Sequence, residues 1–177
     1  MYQGNNKTAL ASQRQIALAM LRLMETHPYQ DISVRLICDT ANVSRQTFYS
    51  LFRSKENVIF YALESGYNYT PEVVNRSYSL DDLCTGFCGY IVENVSFIRL
   101  LSENEITQFL SQTFYDSLFS CPCFLPDLNQ QTRQYAADFV ASGFASLAKT
   151  YILLGESTDR KQLERIAYAL LNGSLFR

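Results

Sequence analysis

Residues 28–58 read PYQDISVRLICDTANVSRQTFYSLFRSKENV, and this stretch decides the fold of the N-terminal part of the chain. Ser33, Ser44 and Ser54 each precede a short run with helical spacing of apolar residues. A serine hydroxyl in that position can cap the free amide groups at the start of a helix. The stretch therefore predicts two short helices around a tight turn, followed by the start of a third.

The apolar residues of this stretch form two faces that can pack against each other. Phe48 and Phe52 lie four residues apart, so they share one side of the second short helix. The first short helix supplies the opposing apolar face, formed by Val34, Ile37, Cys38, Ala41 and Val43. The open side of the second helix then carries side chains that can hydrogen-bond base edges or phosphates in a major groove. These are Arg45, Gln46, Thr47, Tyr49 and Ser50.

The same residues resemble the N-terminal signature of the TetR family of transcriptional regulators, over residues 8–60. That signature combines an apolar first helix, an Ile-x-x-x-Ala-Gly-Val-Ser stretch, a Thr-Phe/Leu-Tyr-x-x-Phe recognition helix and a Ser-Lys-Glu start to the fourth helix. The matching residues are Ile37, Ala41, Val43 and Ser44, then Thr47, Phe48, Tyr49 and Phe52, then Ser54, Lys55 and Glu56.

Two positions depart from the family pattern. Asn42 stands where the family usually has glycine, and asparagine tolerates the left-handed backbone that the turn needs. Leu51 occupies a position that is often polar in the family, so no base contact is assigned to it. The resemblance otherwise implies an all-α, TetR-like fold. Its DNA contacts are predicted to come from Arg35, Ser44, Arg45, Gln46, Thr47, Tyr49, Ser50 and Lys55.

The resemblance also implies two domains. Residues 1–53 would form the three-helix DNA-binding domain, and residues 54–177 a helical domain for ligand binding and dimerisation. Helix four, about residues 54–66, would bridge them, with a loop over residues 66–79. Ser79 and Asp82 form a capping-box pattern before a long apolar stripe that reaches Ile98. In TetR-like proteins the last two helices pair with those of a second subunit, which predicts a homodimer.

Two alternatives remain open for the aromatic residues of the C-terminal part. The chain has 12 Tyr, 12 Phe and no Trp. These side chains can line a mostly apolar ligand cavity, or they can simply fill the core. The candidate cavity residues are Phe87, Tyr90, Phe97, Phe109, Phe114, Tyr115 and Phe139.

Charge is distributed unevenly along the chain. Residues 1–60 contain seven basic and four acidic residues, whereas the remaining 117 contain eight and thirteen. A cationic end on an acidic body would orient the protein on the polyanionic DNA backbone. No apolar run approaches the roughly 18 residues needed to span a bilayer, and the start of the chain is no signal peptide. The sequence predicts a cytoplasmic protein without membrane contact.

The sequence offers little material for catalysis or metal binding. The single histidine, His27, precedes a proline at a helix end, and no nucleophile, base and acid can be assembled around it. Five cysteines lack the convergent ligands that a soft-metal site needs, and burial as small apolar side chains is the favoured interpretation. No enzyme activity, metal or cofactor is predicted.

These observations favour a homodimeric DNA-binding repressor that a small apolar effector releases from double-stranded operator DNA. The alternative is a TetR-like coactivator that a partner protein controls, resembling the regulators of dihydroxyacetone-kinase operons. A ligand-sized cavity in the C-terminal part would favour the first hypothesis, and a solid core the second.

Overall fold

The computed structural model describes residues 4–66 and 79–176, together with Tyr2. Throughout these residues the secondary structure is helical, which confirms the predicted all-α class. The predicted loop between residues 66 and 79 lies outside the described residues. The helices are α1 (Lys7–Met24), α2 (Val34–Ala41), α3 (Arg45–Leu51), α4 (Lys55–Gly66), α5 (Leu80–Glu93), α6 (Val95–Glu103), α7 (Gln108–Ser120), α8 (Gln130–Leu153) and α9 (Arg160–Leu171).

The chain divides into two compact units. The first consists of Met1–Gly66 together with Glu103–Ile106, and the second of Tyr67–Ser102 together with Thr107–Arg177. Helix α4 thus belongs to the first unit, whereas the sequence placed the domain boundary after residue 53. Segment 103–106 belongs to the first unit, although more than thirty residues of chain separate it from Gly66. No sequence pattern predicted this assignment.

The first unit is built around an apolar centre to which all four of its helices contribute. Ile16 of α1, Ile37 of α2, Phe48 of α3 and Ile59 of α4 are fully buried. Ser33 and Ser44 cap their helices as predicted, since the Ser33 hydroxyl accepts from the Leu36 amide at 3.2 Å and the Ser44 hydroxyl accepts from the Thr47 amide at 3.0 Å. Burial of these side chains, each contributing about 1.5–3 kcal/mol, fixes the short helices that could not persist alone.

The long apolar stripe after Ser79 forms two helices instead of the one that the sequence predicted. The capping box of Ser79 and Asp82 is present at the start of α5. The stripe breaks at Asn94, whose side-chain amide donates to the Tyr90 carbonyl at 2.9 Å. Asparagine commonly competes for helix carbonyls in this way. Helix α6 restarts at Val95.

Within the second unit, α8 packs on α7 and α9 packs on α5. Ala137 and Ala141, which lie four residues apart on α8, are fully buried, and their small side chains allow close helix approach. Gly89 likewise leaves room for α9, because a Cβ at this position would lie 2.5 Å from the Arg160 guanidinium. That guanidinium donates to Glu93 of α5 at 3.1 Å, which holds α9 against α5, and to Glu164 of its own helix at 3.0 Å.

Candidate nucleic-acid interface

The turn between α2 and α3 has the backbone that the sequence predicted. Asn42 adopts φ 53° and ψ 47°, in the left-handed region. Its amide and that of Val43 return to carbonyls of the last turn of α2, including Cys38 at 3.0 Å from Val43. Asparagine occupies this region at lower cost than other residues with a side chain. The helix-turn-helix therefore closes without the glycine that the family usually has there.

Helix α3 separates into a buried and an exposed face. Phe48 and Leu51 are buried at 0% and 4% exposure, which explains why Leu51 makes no candidate DNA contact. Arg45 and Gln46 are exposed, and Tyr49 keeps 57% of its surface accessible. Because a major groove admits one helix, the exposed face is the surface that base edges would meet. We call Arg45, Gln46 and Tyr49 the outer face of α3.

The hydroxyl groups predicted on this surface are partly used within the helix. Ser44 caps α3, accepting from the Thr47 amide at 3.0 Å, and its hydroxyl lies 2.9 Å from that of Thr47. The Ser50 hydroxyl donates to the Thr47 carbonyl at 2.7 Å. Arg35 of α2 is exposed and forms an ion pair with Asp39, one turn away, at 3.7 Å. Breaking an exposed ion pair costs little free energy, so Arg35 can leave Asp39 to contact a phosphate or a base.

Lys55 has a different position from the one predicted. Its ammonium donates to the carbonyls of Tyr29, Gln30 and Ile32 at 2.8, 3.3 and 3.1 Å. It also lies 4.3 Å from the centre of the Tyr29 ring. An ammonium group has three donors, and all three are used here. This geometry argues against the predicted phosphate contact and assigns Lys55 to the internal structure of the unit.

Tyr29 is the centre of a polar cluster that the sequence did not reveal. Its hydroxyl donates to the Glu56 carboxylate at 3.1 Å. Its amide donates to the side-chain oxygen of Asn104 at 2.7 Å, and the Asn104 side-chain amide donates to the Met24 carbonyl at 3.3 Å. We call Tyr29, Lys55, Glu56 and Asn104 the Tyr29 cluster. Burial, together with the nearby Glu56 charge and hydrogen bond, raises the pKa of the Tyr29 hydroxyl.

The candidate cavity residues of the second unit do not form one lining. Phe87 stacks on Phe144 and meets Phe114 edge-on, with ring centroids 4.6 Å apart in both cases. Tyr90 meets Phe114 at 5.5 Å. These rings fill a core. Phe97 and Phe109 are half-buried.

Two of the predicted cavity residues lie elsewhere in the second unit. Phe139 is 73% exposed, on the outside of α8. Tyr115 stacks on Phe119 at 5.5 Å and borders a polar surface groove with Gln112 and Tyr135. Both residues were candidates because they are aromatic residues of the C-terminal part, but residue type alone does not decide which partner covers a side chain.

Comparison with known proteins gives the same assignment as the geometry. Residues 16–62 match the family described as bacterial regulatory proteins, tetR family. A relative from Lactococcus lactis subsp. lactis (strain IL1403), the HTH-type dhaKLM operon transcriptional activator DhaS, is 30% identical over 115 residues. That alignment covers 65% of this chain and 52% of the relative, so the chain spans about half the length of the relative that it matches.

Solved structures share the fold over nearly the whole chain. A TetR transcriptional regulator from Streptococcus agalactiae 2603V has a TM-score of 0.62 at 19% identity, covering 93% of this chain and 95% of its own. The fatty acid degradation regulator FadR from Bacillus halodurans gives 0.57 at 14% identity, covering 98% of each chain. The dihydroxyacetone kinase operon activator DhaS gives 0.52 at 20%, covering 94% and 95%.

The helix-turn-helix geometry, the match over residues 16–62 and the shared fold agree with one another. Residues 16–62 form a DNA-binding domain of the tetR family of bacterial regulatory proteins, and the chain has the fold of solved TetR-type regulators. Within the described ranges, no helix is long and apolar enough to cross a membrane.

Proposed function

We propose that this protein is a sequence-specific transcriptional regulator that binds double-stranded operator DNA as a homodimer. The outer face of α3 is the observation that supports this function. Arg45, Gln46 and Tyr49 are held by a helix whose other side is locked into the core through Phe48. A rigid helix that presents an arginine and an amide is suited to guanine and adenine edges in the major groove.

The individual contacts are assigned from side-chain chemistry and exposure. Base edges are assigned to the exposed Arg35, Arg45 and Gln46 and to the half-buried Thr47, and a phosphate to the exposed Tyr49. Ser44 and Ser50 contribute hydroxyl groups at the two ends of the same helix. We no longer assign a phosphate to Lys55, because its donors are used by backbone carbonyls. Selection of bound sequences from a randomised duplex library tests this function, and recovery of no common sequence by the pure protein would reject it.

The dimer is proposed to form through the outside of α8 and α9. Tyr135 and Phe139 on α8 are 71% and 73% exposed, and Leu170 on α9 is 43% exposed. Phe139, Gly143 and Leu170 line an apolar groove of about 230 Å³. Contiguous exposed aromatic surface of this kind is typical of a subunit interface. A twofold dimer would place its recognition helices about 34–36 Å apart, so the operator should be near-palindromic.

Phe139→Glu tests this interface by placing a charge in the groove. We expect sedimentation velocity to show a dimer for the natural protein and a monomer for the variant. Gln134→Glu is the matched control, because it adds the same charge to an exposed position on another side of α8. A glutamate at Ala141 of the same helix would not test the interface, because Ala141 is fully buried and the charge would disturb folding. An intact dimer for Phe139→Glu would place the interface elsewhere.

Two modes of control remain to be separated. The first candidate is a repressor that a small apolar effector releases from the operator. The second is a coactivator that a partner protein controls. Two observations favour the second: the relative from Lactococcus lactis is described as an activator of the dhaKLM operon, and Phe87, Phe114 and Phe144 pack directly on one another. In either mode the protein would act on DNA in the cytoplasm.

A reporter placed behind the selected operator distinguishes the two modes. In a foreign host that makes only this regulator, a repressor lowers reporter expression, and an apolar ligand found by thermal-shift screening restores it. A partner-dependent coactivator leaves the reporter unchanged until a second gene of the source organism is supplied, and then raises it. Thus the sign of the response and its dependence on a second protein identify the mode.

A further inference from the structure

The five cysteines fall into two classes by their surroundings. Cys38, Cys84 and Cys88 are buried, at 3%, 2% and 0% exposure. Burial is the main cause that raises the pKa of Cys84 to about 11 and that of Cys88 to about 12. These thiols are therefore protonated and shielded at neutral pH. Cys121 and Cys123 are only half-buried, and they lie two residues apart in the segment that follows α7.

A closed turn holds these two cysteines together. The Phe124 amide donates to the Cys121 carbonyl at 3.2 Å, which closes a four-residue turn from Cys121 to Phe124. Pro122 takes the second position of the turn, where its fixed φ is favourable. The Phe124 side chain is buried at 2% exposure and anchors the end of the turn.

Arg133 of α8 holds the same turn from outside. Its Nε donates to the Phe124 carbonyl at 3.0 Å, and one terminal nitrogen donates to the carbonyls of Cys121 and Phe119 at 3.0 and 3.3 Å. The guanidinium also lies 5.6 Å from the centre of the Phe119 ring. The carbonyls at both ends of the turn thus accept hydrogen bonds from one planar guanidinium group, which restrains the positions of the two cysteines.

Their spacing suits a covalent bond. Two trans peptide units span at most about 7 Å, and the turn shortens that distance into the range of about 4.4–6.8 Å between Cα atoms that a disulfide needs. We propose that the Cys121-Pro122-Cys123 turn is a redox-modifiable dithiol site, which reacts with small-molecule disulfides to form an intramolecular Cys121–Cys123 disulfide. This inference does not depend on the proposed regulatory function.

The reaction proceeds by two thiol–disulfide exchanges. One cysteine of the pair loses its proton and attacks one sulfur of the small disulfide as the thiolate, and the first thiol leaves with that proton. The other cysteine then loses its proton, attacks the cysteine sulfur of the mixed disulfide and expels the second thiol. Two electrons pass to the small disulfide, which is reduced to two thiols.

The first test exposes the folded, full-length protein to oxidised glutathione at neutral pH and maps all five cysteines by mass spectrometry. Two thiols held in one turn have an effective concentration of at least about millimolar for each other. The intramolecular disulfide should therefore form faster than the second cysteine reacts with another glutathione disulfide. We expect Cys121 and Cys123 to lose two hydrogen atoms together, while Cys38, Cys84 and Cys88 stay reduced. A stable glutathione adduct on Cys121, equal reaction of the buried cysteines, or no reaction would each overturn the proposal.

Single replacements test whether the two cysteines react as a pair. Cys123→Ser removes one nucleophile, so glutathione should remain attached to Cys121, and Cys121→Ser should leave glutathione attached to Cys123. Release of the bound glutathione by either single variant would overturn the proposal.

Arg133→Gln tests whether the turn is preorganised. We expect this variant to accumulate the mixed disulfide that the natural protein does not, because its cysteines are no longer held in position. Circular dichroism checks that the variant is folded. If the variant is unfolded, the glutathione experiment on the natural protein still decides the proposal. Unchanged ring closure in a folded Arg133→Gln protein would remove Arg133 from the site.

Discussion

The outer face of α3 and the Tyr29 cluster lie in the same small unit, and each contains a cation that the sequence assigned to DNA. Arg45 on the first is exposed on a helix whose other face is buried. Lys55 in the second is half-buried, with its ammonium on three backbone carbonyls. A positive charge near a helix start in a DNA-binding domain is therefore not in itself a DNA contact. Whether backbone acceptors surround the side chain decides its role.

The largest expected effect is on folding and concerns Lys55. Lys55→Met keeps most of the aliphatic chain but removes the ammonium donor from the carbonyls of Gln30 and Ile32 and leaves the Tyr29 carbonyl with the Ile32 amide alone. An unsatisfied acceptor in a partly buried site costs about 1–3 kcal/mol, and several are affected here. We expect the free energy of unfolding to fall by about 2–3 kcal/mol in urea denaturation. Affinity for DNA should change little once the measurement is made well below the unfolding midpoint.

Arg53→Met is the matched control, because Arg53 is an exposed cation of the same unit. Its effect on stability should stay within about 0.5 kcal/mol, as for most surface substitutions. If Lys55→Met were as stable as the natural protein and weakened all DNA sequences equally, Lys55 would be a phosphate contact after all. The contrast between the two regions would then fail.

Arg45→Ala should show the opposite pattern, with an effect on recognition and none on folding. Loss of a bidentate contact to a base edge costs about 1–3 kcal/mol of discrimination. We expect relaxed preference at one base pair of each half-site in a binding assay over a randomised operator library. Arg22→Ala, an exposed cation near the end of α1, is the control and should leave the preference unchanged. Unaltered preference for Arg45→Ala would exclude Arg45 from base recognition.

The difference between these regions also explains what the sequence could predict. Ser33, Ser44, Asn42 and Phe48 act through neighbours within a few positions, so local spacing indicated the caps, the turn and the buried face of α3. Tyr29 and Asn104 are 75 residues apart, and their hydrogen bond exists only because segment 103–106 packs in the first unit. No periodicity carries such information. Phe139 illustrates the same limit, since its helical spacing fits both an internal core and an exposed face.

Asn104 should have a smaller effect than Lys55, and two variants separate its two hydrogen bonds. Asn104→Asp keeps an acceptor for the Tyr29 amide but loses the donor to the Met24 carbonyl, whereas Asn104→Ala loses both. We expect a loss of about 1–2 kcal/mol for alanine and less for aspartate. Hydrogen exchange measured by NMR should show lower protection of the Tyr29 amide for alanine only. Equal protection in both variants would mean that Asn104 does not hold this amide.

The smallest expected effect belongs to the Tyr29 hydroxyl, and its sign depends on pH. At pH 7, Tyr29→Phe loses one hydrogen bond to Glu56, which should cost about 1 kcal/mol. Burial first, and Glu56 second, raise the pKa of Tyr29 in the folded protein above its unfolded value of about 10. The stability that this protonated phenol contributes is complete below pH 10 and is lost as pH rises further, by up to about 1.4 kcal/mol per pH unit. The other tyrosines are common to both proteins, so the difference between their urea unfolding free energies isolates Tyr29. We expect that difference to shrink above pH 10 and then to favour phenylalanine, whereas a difference that stayed constant from pH 7 to 11 would show that the Tyr29 hydroxyl is not held in its buried, protonated state.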